Sequence, residues 1–249
     1  MTSWEYGENT VQGIIAILGP TGVGKSTQVG LLAREFRKKG YKVTTTQLRI
    51  NHLFADAFIR IMARILVKQR NDVLPIGALY EEKPSFLKKT FIFWMMLDIL
   101  SIAGKFLVHI YIPRKIGRLV IVEDYIPTTI ADHIFLCRGL GLPREGYKFF
   151  KNYMTALMHL AGPFQSVILD AKFSESEKRR KGRGRWNELP EYVHIQSPLL
   201  FEMSNDLAKG DNLYIDTTLK SVEEVRDIII KHLTEELMHQ STILVEKTY

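Results

Sequence analysis

Short apolar runs alternate along the chain with longer segments whose apolar residues recur at helical spacing. The first run, 14–18 (IIAIL), is apolar throughout, as in a strand that is buried on both faces. The pattern predicts strands at 14–18, 41–46, 119–122, 167–169 and 213–215. It predicts helices at 26–38, 52–70, 86–112, 128–138, 145–160 and 221–237. Strands that alternate with helices are typical of an α/β fold, in which helices cover both faces of a parallel sheet.

One predicted helix is apolar enough to raise the question of a membrane span. The stretch 91–112 is long enough to cross a bilayer, but Asp98, Lys105 and His109 interrupt it. Each of these side chains is costly at the depth of the bilayer. The sequence therefore predicts a buried or interface helix and no membrane span.

Composition places the chain among ordinary globular proteins. Its 249 residues are 46% hydrophobic and 24% charged, which excludes the disordered, collagen-like and fibrous classes. We expect a single domain over residues 1–249. The lone Cys137 cannot form an intrachain disulfide, and the N-terminus lacks a basic region followed by an apolar run. Both features predict a cytoplasmic protein.

Positive charge is concentrated in one short segment. The formal net charge is +7, and residues 172–185 (KFSESEKRRKGRGR), with seven basic and two acidic residues, contribute +5 of it. A nucleic-acid-binding protein usually spreads its cations over a face that is many phosphates long. A single basic segment instead indicates a local anion such as a triphosphate, and we expect no nucleic-acid partner.

Residues 19–26 (GPTGVGKS) fit the phosphate-binding pattern G-x-x-x-x-G-K-[ST], between the first predicted strand and the first predicted helix. The glycines let backbone N–H groups turn toward phosphate oxygens, and the helix adds the positive end of its dipole. In such a loop Lys25 reaches the β- and γ-phosphates, and the Ser26 hydroxyl holds Mg²⁺. We expect an ATP–Mg²⁺ site formed by Gly19, Pro20, Thr21, Gly22, Val23, Gly24, Lys25, Ser26 and Thr27.

An acidic pair follows the third predicted strand. Residues 119–122 deliver Glu123 to the carboxyl end of the sheet, where open α/β folds bind their ligands. Glu123 is expected either to hold Mg²⁺ together with Ser26 or to accept the proton of an attacking group. Asp124 is the rival candidate, because a shift of one residue decides which carboxylate faces the site.

The basic segment after the fourth predicted strand has the composition of a lid. A capping-box pattern at 174–177 (SESE) predicts the start of a short helix, and a second such pattern at 221–224 opens the last helix. Arginines fork onto phosphate oxygens, and Gly182 and Gly184 permit movement. We expect a mobile lid over about residues 172–186, in which Arg179 and Arg183 neutralise a transferring phosphoryl group.

In this order, the motifs resemble those of the thymidylate kinase-like branch of the P-loop nucleoside monophosphate kinases, over roughly residues 12–237. The resemblance implies a five-stranded parallel sheet in the order 2-3-1-4-5. It also implies transfer of the γ-phosphate of ATP–Mg²⁺ to a deoxynucleoside monophosphate, and homodimers that pack through long helices. The lid matches at Arg179 and Arg183, and residues 213–224 resemble the last strand, loop and helix of the family.

The acceptor side departs from the family pattern. The family's Asp-Arg-Tyr after the third strand is similar to Glu123-Asp124-Tyr125, so that Asp124 replaces the arginine that grips the acceptor's phosphate. The family also has an Asp-Arg pair on the long helix, where this chain has Asp98-Ile99 and so lacks the arginine. The family's arginine after strand two has no direct equivalent, and Arg49 lies two residues beyond that position. The resemblance makes Arg49, Asp98, Asp124 and Tyr125 the candidate substrate residues. Either Arg49 or Arg60 replaces the missing arginine, or the acceptor is a compound other than dTMP.

Three functions remain open at this stage. The first is an ATP- and Mg²⁺-dependent phosphotransferase that acts on a nucleoside monophosphate. The second is a P-loop kinase that acts on a nucleoside, sugar or other small hydroxyl compound, with Glu123 as the base. The third is a non-catalytic nucleotide-binding module that uses the basic segment for nucleic acid.

Overall fold

In the computed structural model, which describes residues 13–67, 73–182, 189–207 and 212–246, five parallel strands form one sheet. The strands are β1 (Gly13–Leu18), β2 (Val43–Gln47), β3 (Leu119–Glu123), β4 (Gln165–Asp170) and β5 (Leu213–Asp216). Their order is β2-β3-β1-β4-β5. The predicted α/β fold and strand order are confirmed.

The helices surround this sheet. They are α1 (Lys25–Lys38), α2 (Leu53–Leu66), α3 (Pro75–Glu82), α4 (Pro84–Phe106), α5 (Ile112–Lys115), α6 (Ile126–Gly139), α7 (Arg144–Ala161), α8 (Phe173–Lys181), α9 (Pro190–Leu207) and α10 (Val222–Glu246). A π-helical turn, Leu107–Tyr111, joins α4 to α5. The predicted helix 52–70 ends earlier than expected, at Leu66, and residues 68–70 lie outside the described part of the chain.

Helices α3 and α9 were not predicted from the sequence. Helix α3 has only eight residues, too few to show a clear helical period, and begins at Pro75. Helix α9 carries Pro198 in its interior, where proline removes a backbone hydrogen bond and normally ends a helix. Tertiary packing compensates in α9, because Leu199, Leu200 and Met203 are buried in the core.

The sheet separates two hydrophobic cores, and β1 supplies both of them through the alternation of its side chains. Ile14, Ala16 and Leu18 pack in the core that includes side chains of α2, α3, α4, α6, α7 and α9. Ile15 and Ile17 face the opposite core, which includes side chains of α1 and α10. Because all of β1 is buried, the sheet is rigid at the point where the chain leaves it for the loop at 19–24.

The register of the strands places polar side chains at one edge of the sheet. Ile17 lies beside Glu123, and Glu123 lies beside Gln47. On the other side of β1, Asp170 lies beside Asp216. The carboxyl ends of β2, β3, β4 and β5 therefore present polar groups next to the loop that follows β1.

The long helical segment from Pro84 to Lys115 is partly buried. Trp94, Ile102 and Phe106 lie in the core. By length and composition this segment could cross a membrane, and 44% of its most apolar window is buried within the fold. Its outer side presents an exposed apolar face, which consists of Ile92, Phe93, Met96, Leu100, Leu107, Val108 and Ile112.

Of the two predicted capping boxes, one is confirmed and one is wrong. The Ser221 backbone N–H donates to Glu224 Oε2 at 2.7 Å, and the Glu224 N–H donates to Ser221 Oγ at 3.2 Å. Helix α8 instead begins at Phe173, without a side-chain cap, and the Ser176 hydroxyl donates back to the Phe173 carbonyl. The last helix also extends beyond the predicted end at residue 237, to Glu246.

Candidate active site

The loop from Gly19 to Gly24 connects β1 to α1, which is the position that the sequence predicts for a phosphate-binding loop. Gly24 precedes the first residue of α1 with φ +102°, a conformation that side chains other than glycine rarely adopt. At Gly22 a Cβ atom would lie 2.6 Å from the Ser176 carbonyl oxygen of α8. The loop therefore requires glycine both for its shape and for its contact with α8.

Lys25 is buried at the base of this loop. Its Nζ donates hydrogen bonds to the carbonyl oxygens of Gly19 at 2.7 Å and Pro20 at 3.0 Å. It also lies 3.6 Å from Asp124 Oδ1. The ammonium group is thus held by two backbone carbonyl oxygens and one carboxylate, within the loop that would hold a polyphosphate.

Ser26 and Glu123 meet at the carboxyl edge of the sheet. The Ser26 hydroxyl donates to Glu123 Oε1 at 2.7 Å. Carboxylate and hydroxyl oxygens are ligands that suit Mg²⁺, which usually takes one or two protein ligands together with substrate phosphates and water. This pair, next to the phosphate-binding loop, therefore fits a magnesium ion, and it was predicted as the metal site from the sequence.

Asp124 lies between the phosphate-binding loop and the end of β2. It is 1% exposed, and its backbone is left-handed, with φ +51°, which aspartate tolerates better than most residues. Its Oδ2 accepts a hydrogen bond from Gln47 Nε2 at 3.2 Å. Its Oδ1 has no hydrogen-bond partner among the described residues and faces Lys25.

A cleft of about 310 Å³, which we call the β2–α2 cleft, opens beside Gln47. The end of β2, the loop after it, and helices α2, α3, α6 and α9 all contribute to its wall. Its lining residues are Gln47, Arg49, Ile50, Asn51, His52, Asp56, Ile59, Arg60, Leu74, Pro75, Ile76, Gly77, Asp132, Phe135, Leu136, Leu189 and Tyr192. Gln47 is shared by the cleft and by the contact with Asp124, so the cleft adjoins the phosphate-binding loop.

The predicted substrate residue Arg49 lines the cleft and pairs with Asp132. Its Nε lies 2.8 Å from Asp132 Oδ2 and its Nη2 lies 3.2 Å from Asp132 Oδ1, a two-pronged contact. The Tyr192 hydroxyl donates to the same carboxylate. Arg60 also lines the cleft and pairs with Asp56 at 2.6 Å.

His52 contributes no positive charge to the cleft at neutral pH. Burial, followed by the nearby Lys105 ammonium, lowers the pKa of His52 to about 4. Its Nε2 also faces the backbone N–H of Arg49 at 3.1 Å. The described lining side chains that are charged at neutral pH are therefore two arginines and two aspartates, and their charges balance.

Two other predicted substrate residues lie in the interior. Asp98 is wholly buried, and it accepts hydrogen bonds from the Asn51 backbone at 2.8 Å and from His133 at 3.0 Å. It therefore supports the loop that carries Asn51 into the cleft. Tyr125 is also wholly buried, with its ring against Phe164, and burial raises the pKa of its phenol. The structure brings neither side chain to the cleft surface.

The structure separates two neighbouring arginines of the basic segment. Arg179 hydrogen-bonds to Glu175 at 3.1 Å and to the Thr217 carbonyl at 3.1 Å, which holds it against the loop after β5. Arg180 lies on the other side, where its Cγ approaches the position of a Cβ on Gly22 to 3.0 Å. Arg183, the other predicted lid arginine, lies outside the described residues.

Sequence reasoning missed Gln47, Asp132, Tyr192 and Arg180 as candidates. Asp132 and Tyr192 come from helices far apart in the chain, and no local motif marks them. Arg180 lies four residues after Ser176, on the same side of α8, but only the structure shows that this side faces Gly22. Gln47 ends β2 at the same edge as Glu123, which the strand order implies.

Similar proteins were found by sequence and by structure, whereas no family model matches the chain. A probable thymidylate kinase of Thermococcus onnurineus (strain NA1) is 25% identical over 229 residues, which cover 90% of this chain and 98% of that protein. A probable thymidylate kinase of Pyrococcus abyssi (strain GE5 / Orsay) is 22% identical over 226 residues, which cover 90% of this chain and 97% of that protein.

A solved structure of deoxyadenosine kinase from M. mycoides with bound dCTP has a similar fold. Its TM-score is 0.52 at 16% sequence identity, and the match covers 89% of this chain and 99% of that one. At this identity the likeness concerns the fold alone, while the two sequence relatives extend over nearly the whole chain. The predicted resemblance to the thymidylate kinase-like P-loop kinases is thereby confirmed, and the chain is an enzyme of the kinase type.

Proposed function

We propose that the chain is an ATP- and Mg²⁺-dependent phosphotransferase that acts on a nucleoside-type acceptor held in the β2–α2 cleft. The observation that carries this proposal is the contact between Ser26 and Glu123, 2.7 Å apart, beside Lys25 and the phosphate-binding loop. A serine, a lysine and a carboxylate in this arrangement supply what a P-loop kinase needs to hold a triphosphate with its metal.

The donor side would work by position and charge. Backbone N–H groups of residues 19–26 and the Lys25 ammonium would bind the β- and γ-phosphates, and Ser26 with Glu123 would hold Mg²⁺, which neutralises phosphate charge when bound. An acceptor oxygen would form a bond to the γ-phosphorus as the bond from that phosphorus to the bridging oxygen breaks. The proton of a hydroxyl acceptor would pass to one of the carboxylates that follow β3, Glu123 or Asp124. The electron pair of the broken bond would leave with ADP. Such a transfer depends mainly on alignment and on neutralisation of charge.

The acceptor has two candidates, each with its own support. A nucleoside monophosphate is favoured by the two relatives named as probable thymidylate kinases, and Arg49 and Arg60 would then face its phosphate. A nucleoside is favoured by the balanced charges of the cleft and by the carboxylate of Asp124 beside it.

The proposal predicts that ATP is converted to ADP only when both an acceptor and Mg²⁺ are present. Chelation of the metal is expected to abolish transfer, and Glu123→Gln is expected to lower kcat about a hundredfold, because it weakens the hold on the metal. Labelled ATP with a panel of nucleosides and their monophosphates measures both effects. Glu35→Gln, at a partly exposed glutamate on α1 that pairs with Lys38, is the matched control.

Three results would contradict this function. They are an absence of transfer to every acceptor of the panel, transfer that is independent of the metal, or a Glu123→Gln variant with the wild-type rate. A chain that instead bound DNA or RNA with steep salt dependence and transferred no phosphate would be a nucleotide-binding module.

We propose in addition that two copies of the chain associate through the exposed apolar face of α4. The support is the repetition of large apolar side chains along that face, because the exposure of such side chains to water is unfavourable. Light scattering is expected to give twice the 28.7 kDa mass of one chain, and Phe93→Glu with Leu100→Glu is expected to give the mass of one. Wild-type protein with the mass of a single chain at micromolar concentration would exclude this assembly.

A further inference from the structure

The charges of the β2–α2 cleft leave little to hold a phosphate. Arg49 is paired by two contacts with Asp132, and Arg60 is paired with Asp56. His52 is neutral at pH 7, because burial lowers its pKa. A phosphate dianion that entered this cleft would therefore meet arginines whose charge neighbouring carboxylates already balance.

Asp124, which does not itself line the cleft, adds a negative charge behind Gln47, between the cleft and the phosphate-binding loop. Its Oδ2 accepts a hydrogen bond from Gln47, which lines the cleft, and its Oδ1 lies 3.6 Å from Lys25 Nζ. Among the described residues, Lys25 is the cation that pairs with this carboxylate. Asp124 is 1% exposed, so that water screens its charge poorly.

Binding of a triphosphate would change this balance. The phosphates attract the Lys25 ammonium, which is held at present by the carbonyl oxygens of Gly19 and Pro20. As Lys25 turns toward the phosphates, Asp124 loses the cation that faces it. An acceptor phosphate in the cleft would then lie near an uncompensated carboxylate, whereas an uncharged acceptor would not meet this repulsion.

The remaining walls of the cleft suit an uncharged ring with polar edges. The rings of Phe135 and Tyr192 pack together with centroids 4.6 Å apart. Leu74, Ile76 and Leu136 add apolar surface, and Asn51 offers a polar group. A nucleoside combines a flat ring, polar ring edges and sugar hydroxyls, and so matches this lining.

We infer that the β2–α2 cleft takes an uncharged, hydroxyl-bearing nucleoside, and that Asp124 determines this specificity by rejecting a monophosphate. This inference rests on the proposed phosphotransferase function and decides between its two acceptor candidates. It assigns to the site a substrate class that carries no phosphate of its own.

Calorimetry tests the inference without relying on turnover. The full chain is titrated with four deoxynucleosides and with their 5′-monophosphates, in the presence of Mg²⁺ and a non-hydrolysable ATP analogue. At least one nucleoside is expected to bind ten times more tightly than its monophosphate or better. Raising the salt from 50 to about 500 mM is expected not to weaken the binding of the monophosphate, because the balanced cleft offers the phosphate no net attraction that salt could screen.

The variant Asp124→Asn keeps the shape of the side chain and tolerates the left-handed backbone. It is expected to bind the monophosphate at least ten times more tightly than the wild type and to change nucleoside binding less than threefold. Asp206→Asn, at an exposed aspartate near the C-terminal end of α9 that pairs with Lys151 of α7, is the control with the same change of net charge. If Asp124→Asn does not fold, the wild-type preference and its salt dependence still decide the question.

The outcomes separate this inference from the proposed function. Tighter binding of a monophosphate that weakens with salt overturns the inference and leaves a phosphotransferase that acts on nucleotides. The absence of binding by any nucleoside up to millimolar concentration also overturns it. Nucleoside binding without phosphoryl transfer would instead overturn the proposed function and leave the specificity of the cleft in place.

Discussion

Replacement of Lys25 by alanine is expected to lower the rate of phosphoryl transfer about a thousandfold while the sheet and helices remain in place. The Lys25 ammonium is buried at the base of the phosphate-binding loop and is the group that would follow negative charge as it moves onto the leaving ADP. Single-turnover measurement with saturating ATP and Mg²⁺ isolates this effect from weaker binding, and circular dichroism checks the fold.

The control for this change is Lys38→Ala at the exposed end of the same helix, which is expected to alter the rate less than twofold. Removal of Lys25 also leaves the buried Asp124 without its facing cation, at a cost of about 3 kcal/mol. The double variant Lys25→Ala, Asp124→Asn removes both charges and is expected to recover stability but not activity. A folded Lys25→Ala protein with the wild-type rate would show that this loop is not the donor site.

The sheet and the loop that follows β1 could be predicted because local sequence determines them. The run 14–18, the glycines after it and Lys25-Ser26 are contiguous, and a phosphate-binding loop needs little else. The contact of Ser26 with Glu123 joins residues 97 positions apart, yet it was predictable from the chain. Parallel strands place their carboxyl ends at one edge, so an acid that ends β3 must lie near the loop that follows β1.

The cleft could not be predicted in the same way, because its wall depends on how distant helices pack. Arg49 and Asp132 are 83 positions apart. Tyr192 lies on α9, a helix that was not predicted because it contains Pro198. The directions of the side chains that follow β3 could not be predicted from the sequence either. Glu123 faces Ser26 and Asp124 faces Lys25, while Tyr125 turns into the core.

The basic segment shows how a single residue of helical position changes a functional assignment. In a helix, adjacent side chains point about 100° apart, so Arg179 and Arg180 extend toward different neighbours. Arg179 uses its guanidinium to hold the loop after β5, through Thr217. Arg180 lies against Gly22, and its Nε is buried without a hydrogen-bond partner among the described residues.

Arg180→Ala is therefore expected to lower kcat about a hundredfold or more, whereas Arg179→Ala is expected to lower it less than tenfold. The Arg180 guanidinium lies over the Phe173 ring, 5.7 Å from its centroid. Such a contact is worth about 0.5–1 kcal/mol at an exposed site. The guanidinium can therefore leave the ring and contact a transferring phosphoryl group. Measurement of kcat and of the KM for ATP in both variants separates the roles, because Arg179→Ala is expected to raise the KM severalfold as α8 loosens from Thr217.

The two arginines are adjacent and carry the same charge, so each variant is the control for the other. A larger loss of kcat in Arg179→Ala would restore the assignment made from the sequence, and equal small losses would leave the charge of the phosphoryl group to Lys25, the metal and Arg183.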